Sequence, residues 1–440
     1  MKLRRESYTS WDWKRTGGSN QQAIQTVQEV VADVRAQSDA AVRKYTAKFD
    51  NCQGALEADW PLAVAPERLE QAWKELPESL KEALQAAQQR IRRFHEAQRR
   101  QDVVVTGEDG ERLGMTFRAL TRVGVYAPGG RAAYPSTVLM NVIPAQVAGV
   151  QGIALVSPPS PGTDEPHPLV LAAAYLAGIT EVYRIGGAQA IAALAYGTES
   201  IPKVDKVVGP GNLYVALAKR EVMGDVGIDS IAGPSEVFIV ADHSADPSYV
   251  AADMLAQAEH DPQAGAVCVT TQPELADALD AALTEQLEHL PRKEIAAAAL
   301  NQWGAVVFVD NLVQAADVVN ASAPEHVELL VYNPEQLLPK IRRAGAVFLG
   351  PYSPEPVGDY YAGTNHVLPT HGSARYASGL GVDDFLRRMT FVEYQRETLV
   401  RHARHIEELA QAEGLTAHAR SVSIRLKDRF TDRLTGGDKA

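Results

Sequence analysis

The sequence predicts an α/β protein built from two doubly wound units, each a parallel sheet with helices on both faces. Three observations point there. From about Thr116 onward, short apolar runs alternate with Ala-rich helical stretches, the grammar of strand–helix–strand units. The runs number nine, too many for one compact nucleotide-binding unit. The chain has 440 residues, where a domain takes roughly 100–200.

Taken in order, the first hundred residues read as helix. Gln21 to Phe49 carries Ile24, Val27, Val31 and Val34 at helical spacing, and Pro66 to Arg100 repeats the pattern in Gln-, Glu- and Arg-rich sequence. The strand candidates follow: RVGVYA (122–127), GIALVS (152–157), EVYRIG (181–186), DKVVG (205–209), EVFIVAD (236–242), AVCVTT (266–271), AVVFVD (305–310), VELLVY (327–332) and GAVFLG (345–350). Between them, HPLVLAAAYLAG and AQAIAALAYG are helical candidates. Thr390 to Glu413 returns to helix, and SVSIRL near the end is strand-like. The expected division joins 20–125 to 236–381 as one α/β unit and makes 126–235 the second. Residues 1–19 and 382–440 remain as small helical or extended terminal segments.

Composition narrows the function classes. Lys and Arg total 43 against 55 Asp and Glu, a formal charge of −12. A nucleic-acid or anionic-membrane binder draws its affinity from a basic surface, so neither partner is expected. Two cysteines, Cys52 and Cys268, exclude a disulfide framework and are too few for a thiolate zinc site; they suit a reducing cytoplasm. MKLRRESYTSWDWKR lacks the apolar core of a signal peptide. Ala132 to Thr163 has no charged residue, but five prolines break it, so it reads as buried helix and strand rather than a membrane span.

Several constellations could carry chemistry. The GxGxxG fingerprint of dinucleotide folds is absent; GPGN (209–212) and IGGAQA (185–190) leave it incomplete, yet both lie between a strand and a helix, where ligands of doubly wound sheets bind. On spacing alone, the reading that Gly and Pro merely turn the chain is slightly favoured. Gln257 and His260 are three apart in MLAQAEH and share a helix face, though His260 alone suits a helix C-terminus through its charge. Glu325 and His326 in SAPEHVE are adjacent, and adjacent residues of an extended chain point apart; at a turn they could converge as water activator and general base. Gly350 to Gly381 is long and rich in Gly and Pro, with Glu355, Asp359 and His366 as potential ligands, and such loops are functional more often than not. Glu413 and His418 lie near the end in GLTAHARSVSIRL.

Together these residues are more specific than any one of them. RVGVYAPGGRAAYPS, IGGAQAIAALAYGT, VDKVVGPGN, AGPSE, QAEHDP, APEH, PEPVGDYYAGTNHVLPT and LTAH occur in this order, and the series resembles the histidinol dehydrogenase family over about residues 20–427. The resemblance implies a cytoplasmic, zinc-dependent homodimer with incomplete Rossmann-like units and an intertwined C-terminal tail. Its reaction would be the four-electron oxidation of L-histidinol to L-histidine, through bound L-histidinal, with two NAD and one water. Carried over by motif, the zinc ligands would be Gln257, His260, Asp359 and His418, the last from the partner subunit. Glu325 and His326 would be the catalytic pair. Substrate contacts would come from Ser235, His366 and Glu413, besides His326 and the zinc ligands, with Glu355 a weaker candidate. Tyr126, Gln189 and Asn212 would contact NAD.

The donor set suits that assignment: one Asp, two His and one Gln leave a zinc dication with net charge +1, and imidazole and carboxylate oxygen suit zinc. Zinc has no redox role, so the electrons go to nicotinamide. Competing readings are a paralogous dehydrogenase of another small diol, and a zinc hydrolase in which Glu325 activates a metal-bound water.

Overall fold

The computed structural model describes residues 1–13, 21–57, 59–129 and 133–427. They divide into two compact units: Met1–Arg99 with Leu120–Phe385, and Arg100–Ala119 with the chain from Leu386 onward. In chain order the strands are β1 (Arg4–Ser7), β2 (Val103–Thr106), β3 (Arg112–Ala119), β4 (Arg122–Tyr126), β5 (Gly152–Val156), β6 (Glu181–Tyr183) and β7 (Lys206–Val208). Then come β8 (Gly227–Ile228), β9 (Glu236–Ala241), β10 (Gly265–Thr270), β11 (Gly304–Phe308), β12 (His326–Leu330), β13 (Ala346–Leu349) and β14 (Leu386–Glu393).

The first unit holds two all-parallel sheets. One has the order β6-β5-β4-β7-β8, the other β1-β11-β10-β9-β12-β13. In the five-stranded sheet the chain moves outward from β4 through β5 to β6, then resumes on the other side with β7 and β8. From β9 it does the same, outward to β11 and then back to β12 and β13. The strand order therefore reverses between β4 and β7 in one sheet and between β9 and β12 in the other.

Why these segments form strands is visible in their burial. Every residue of EVFIVA in β9 and GAVCVT in β10 is buried, as expected of parallel strands covered on both faces. Alternate residues of β9 serve opposite layers: Val237, Ile239 and Ala241 join one core cluster, Phe238 and Val240 the other. The crossover helices start on local signals. Asp246 accepts the Ser248 N–H at 2.8 Å to cap the helix Pro247–Ala258, and Asn311 accepts the N–H groups of Val313 and Gln314 ahead of Leu312–Ser322.

All nine expected strands form, and the expected edges shift around them. Residues 122–125 belong to β4, the central strand of the five-stranded sheet, not to the unit of 236–381. The helices Gln21–Gln37 and Asp39–Phe49 also pack on that sheet: Val27, Val31, Val34 and Val42 share a core with Val156, Ile191 and Leu194. β1, inside the expected terminal segment, pairs with β11.

The second unit is a three-stranded antiparallel sheet, β14-β3-β2, with the helices Arg396–Ala412 and Thr416–Leu426. SVSIRL is helix rather than strand. Ala419 and Val422, three apart, are its buried residues, the spacing of one helix face. Among the described residues no helix is long and apolar enough to cross a membrane.

Candidate active site

Two neighbouring strands of the six-stranded sheet begin at one place. β9 opens with Glu236, β12 opens with His326, and the register sets His326 beside Val237. Ser235 and Glu325 immediately precede them. The helix Pro247–Ala258 follows β9 and brings its C-terminal end to the same strand starts, with Gln257 in its last turn and His260 just beyond. The short helix Glu355–Tyr360 adds Glu355 and Asp359.

These side chains converge on the His326 imidazole. Its Nδ1 lies 3.3 Å from Gln257 Oε1, 3.6 Å from Glu355 Oε1 and 3.9 Å from Glu325 Oε2. Its Nε2 lies 3.9 Å from Asp359 Oδ1 and has no hydrogen-bond partner. Acceptors crowd the Nδ1 side, so the proton belongs on Nδ1 and the lone pair on Nε2. Burial, with His260 and His366 nearby, pushes His326 down to about 3, so the ring is neutral. Glu325 accepts from the Glu236 N–H at 3.3 Å and from the Ser235 hydroxyl. Burial holds Glu325 and Glu355 well above the usual carboxylate range and lifts Asp359 to about 7.

Such a cluster lacks a cation. Among the described residues, the ion-pair partner of Glu325, Glu355 and Asp359 is His326 alone, and that imidazole is neutral. Ligand atoms of His326, Glu355 and Asp359 lie within 4.8 Å of one another. Buried polar atoms without partners ring them: Gln257 Nε2, Glu355 Oε2 and His366 Nε2. Nitrogen and carboxylate donors of this kind fit zinc, and a dication would return the acids to their ionised forms. The triplet shares Asp359 with the ligand set expected from sequence. Gln257 touches the same imidazole, and His260 lies exposed beside it.

The position in the sheet is telling. Ligands of doubly wound sheets bind outside the carboxyl ends of the strands, whereas this cluster sits at the amino ends of β9 and β12. A helix C-terminus faces it, and the negative end of a helix dipole suits a metal ion and a cationic substrate rather than a phosphate.

The carboxyl edge of the five-stranded sheet holds the other group. Tyr126 ends β4, and its hydroxyl accepts the Gly187 N–H at 3.1 Å. Gln189 lies in the first turn of the helix Gly187–Tyr196; its Nε2 donates to Asp50 Oδ2 at 3.1 Å, and its Oε1 is buried without a partner. Asn212, exposed after β7, accepts the N–H groups of Tyr214 and Val215 and caps the helix Leu213–Val222. Tyr126 and Gln189 are themselves buried and hold the Gly186–Gly187 turn in place. A turn and a helix start beside a strand-order reversal fit a dinucleotide.

The profile of the histidinol dehydrogenase family matches residues 13–426. The histidinol dehydrogenase of Parasynechococcus marenigrum is 52% identical over 414 residues, covering 94% of this chain and 93% of that one. That of Bacillus subtilis is 52% identical over 401 residues, covering 91% and 92%. A crystal structure of histidinol dehydrogenase from Elizabethkingia anophelis superposes with a TM-score of 0.90 at 37% identity, covering 97% of this chain and 98% of the other. The chain belongs to the histidinol dehydrogenase family. Histidinol dehydrogenases catalyse the last step of histidine biosynthesis, an oxidation that uses NAD and zinc.

The sequence-predicted residues fall into three places. Ser235, Gln257, His260, Glu325, His326, Asp359 and His366 gather around one imidazole. Tyr126, Gln189 and Asn212 share the carboxyl edge of the other sheet. Glu413 and His418 lie exposed in the second unit, at the end of Arg396–Ala412 and within Thr416–Leu426. Sequence reasoning missed Asp253 and Glu328. These two buried acids are hydrogen-bonded to each other, and Glu328 Oε1 accepts the Glu355 N–H at 2.8 Å. A signal was present: Glu328 interrupts the apolar run HVELL of a central strand, where an unpaired charge is rarely buried. Asp50 was missed as well, because only the fold brings it to Gln189.

Proposed function

We propose that the chain oxidises L-histidinol to L-histidine in two hydride transfers at the amino ends of β9 and β12. Gln257, His260 and Asp359 would hold the zinc, with His418 of the partner subunit as the fourth ligand. When bound, the metal orients the imidazole and amine of the substrate. Tyr126, Gln189 and Asn212 at the carboxyl edge of the five-stranded sheet would hold NAD, which would supply the hydride acceptor for each half-reaction.

The chain's own residues handle the protons. His326 Nε2 takes the alcohol proton as C1 becomes an aldehyde. Gln257 and Glu355 accept from Nδ1–H and fix the ring. Glu325 then takes a proton from water, whose oxygen adds to the aldehyde carbon while His326 returns its proton to the carbonyl oxygen, giving the hydrate and a neutral imidazole. The Glu236 N–H and the Ser235 hydroxyl fix the Glu325 carboxylate for that role. His326 serves again as base while the hydrate is oxidised. One alcohol, one water and two NAD give one carboxylate, two NADH and three protons.

The observation that carries this reading is His326 itself: buried, neutral, with Gln257 and Glu355 nearest Nδ1 and no hydrogen-bond partner on Nε2. The homodimer is supported by the second unit. Its β2 strand, VVVT, is an edge strand exposed at all four residues, and such apolar edges are normally covered. Glu413 and His418 on the same unit are exposed and available to a partner. Two variants test the assignment. His326→Asn should cut turnover by about 10²–10⁴-fold with zinc content retained. His418→Asn should lower zinc content, measured by atomic absorption. Full metal and full activity in His418→Asn would contradict the ligand assignment.

A further inference from the structure

The GPGN turn, 209–212, follows β7 at the reversal of strand order in the five-stranded sheet. Both peptide groups of its first glycine are held by one buried ion pair. Asp229, directly after β8, accepts the Gly209 N–H through Oδ2 at 2.7 Å. Lys219 Nζ donates to the Gly209 carbonyl and, at 2.6 Å, to Asp229 Oδ1. The two side chains are 3% and 5% exposed. Lys219 belongs to the helix that starts after Asn212, and its side chain leans back toward the helix N-terminus, as helical side chains do. On the other side the turn packs against β4. Gly209 has φ +109°, and a Cβ there would collide with the Tyr126 carbonyl oxygen.

A buried ion pair is a poor device for stability alone, because desolvation offsets much of the attraction. It does supply direction, by fixing the N–H and C=O of one peptide position. Lys219 is also spent on Gly209 and Asp229, so it acts through the turn and not as a phosphate ligand. We propose that Lys219 and Asp229 are positioning residues for the dinucleotide: they clamp Gly209 so that the GPGN turn and Asn212 meet the cofactor preformed. This rests on the carboxyl-edge crevice being the NAD site.

The test uses the zinc-loaded full chain as the double variant Lys219→Met/Asp229→Asn, since either change alone leaves a buried charge or an unmatched donor. NADH affinity is read by NADH fluorescence, and histidinol affinity by calorimetry without NAD. The loss of about one charge-assisted hydrogen bond should weaken NADH about tenfold, with zinc content and histidinol affinity within about twofold of wild type. KM for NAD should rise with kcat nearly unchanged. Wild-type NADH affinity in the double variant would overturn the clamp, and so would a parallel loss of both ligands. Asn212→Ala separates the two layers. If it weakens NADH while the double variant does not, the clamp alone fails; if it leaves NADH affinity unchanged, the crevice reading fails and the clamp with it.

Discussion

At His326 the neighbours on Nδ1, Gln257, Glu355 and Glu325, leave the Nε2 lone pair without a hydrogen-bond partner, which is what the proposed general base requires. Which residues gather here was legible in the sequence by residue type. Their geometry was not: an extended APEH would point Glu325 and His326 apart, and they approach only because Glu325 precedes β12 and its carboxylate is held by the Glu236 N–H and Ser235. Asp50 shows the same limit, since it meets Gln189 only in the fold. Burial lifts the Asp50 carboxyl from the ordinary 3.8 to about 7. The folded protein therefore keeps a proton that the unfolded chain releases across that window. Stability from this group is fully present below about pH 4 and is lost as the pH rises through about 7. Asp50→Asn cannot ionise, so its Tm advantage over wild type should grow from pH 4 to pH 8, toward a ceiling of about 4 kcal/mol at one unit per 1.36 kcal/mol. Thermal unfolding across that range checks this; a constant difference would contradict it.

Among the elements, the strands were the most readable. Parallel strands buried on both faces read as near-continuous apolar runs, as β5, β9 and β10 do. What escaped has a physical reason. RRES of β1 carries no apolar signal and becomes a strand only because β11 offers an unpaired edge. SVSIRL alternates like a strand, but its partner contacts select a helix. The helix Pro247–Ala258 illustrates how an element serves the site. Its start is fixed by Asp246 and Pro247, while its far end presents Gln257. Asp246→Ala should lower stability by about 1 kcal/mol, read by denaturant unfolding. Zinc content should be unchanged, because the cap lies at the opposite end of the helix from Gln257, the proposed ligand.

Across the whole molecule, two parallel sheets share the same reversal of strand order, and the proposed sites lie at opposite edges of them. The carboxyl edge of one suits a dinucleotide; the amino edge of the other, faced by a helix C-terminus and acids, suits a metal and a cationic substrate. The order of the motifs made the family legible, while Glu413 and His418 lie exposed in the second unit and are proposed to serve a partner's site. Co-expressed His326→Asn and His418→Asn chains address this. If His418 of the partner subunit completes each site, the mixed dimer regains one intact site and about half of wild-type turnover, as simple counting of sites requires. If His418 acts within its own chain, both sites stay defective and no activity returns.

The most direct test of the account is the number of NADH formed per L-histidinol consumed, by zinc-loaded and by chelator-stripped protein. The account predicts two NADH per substrate, lost on stripping and restored by zinc. A ratio of one, or turnover that survives removal of the metal, would contradict it.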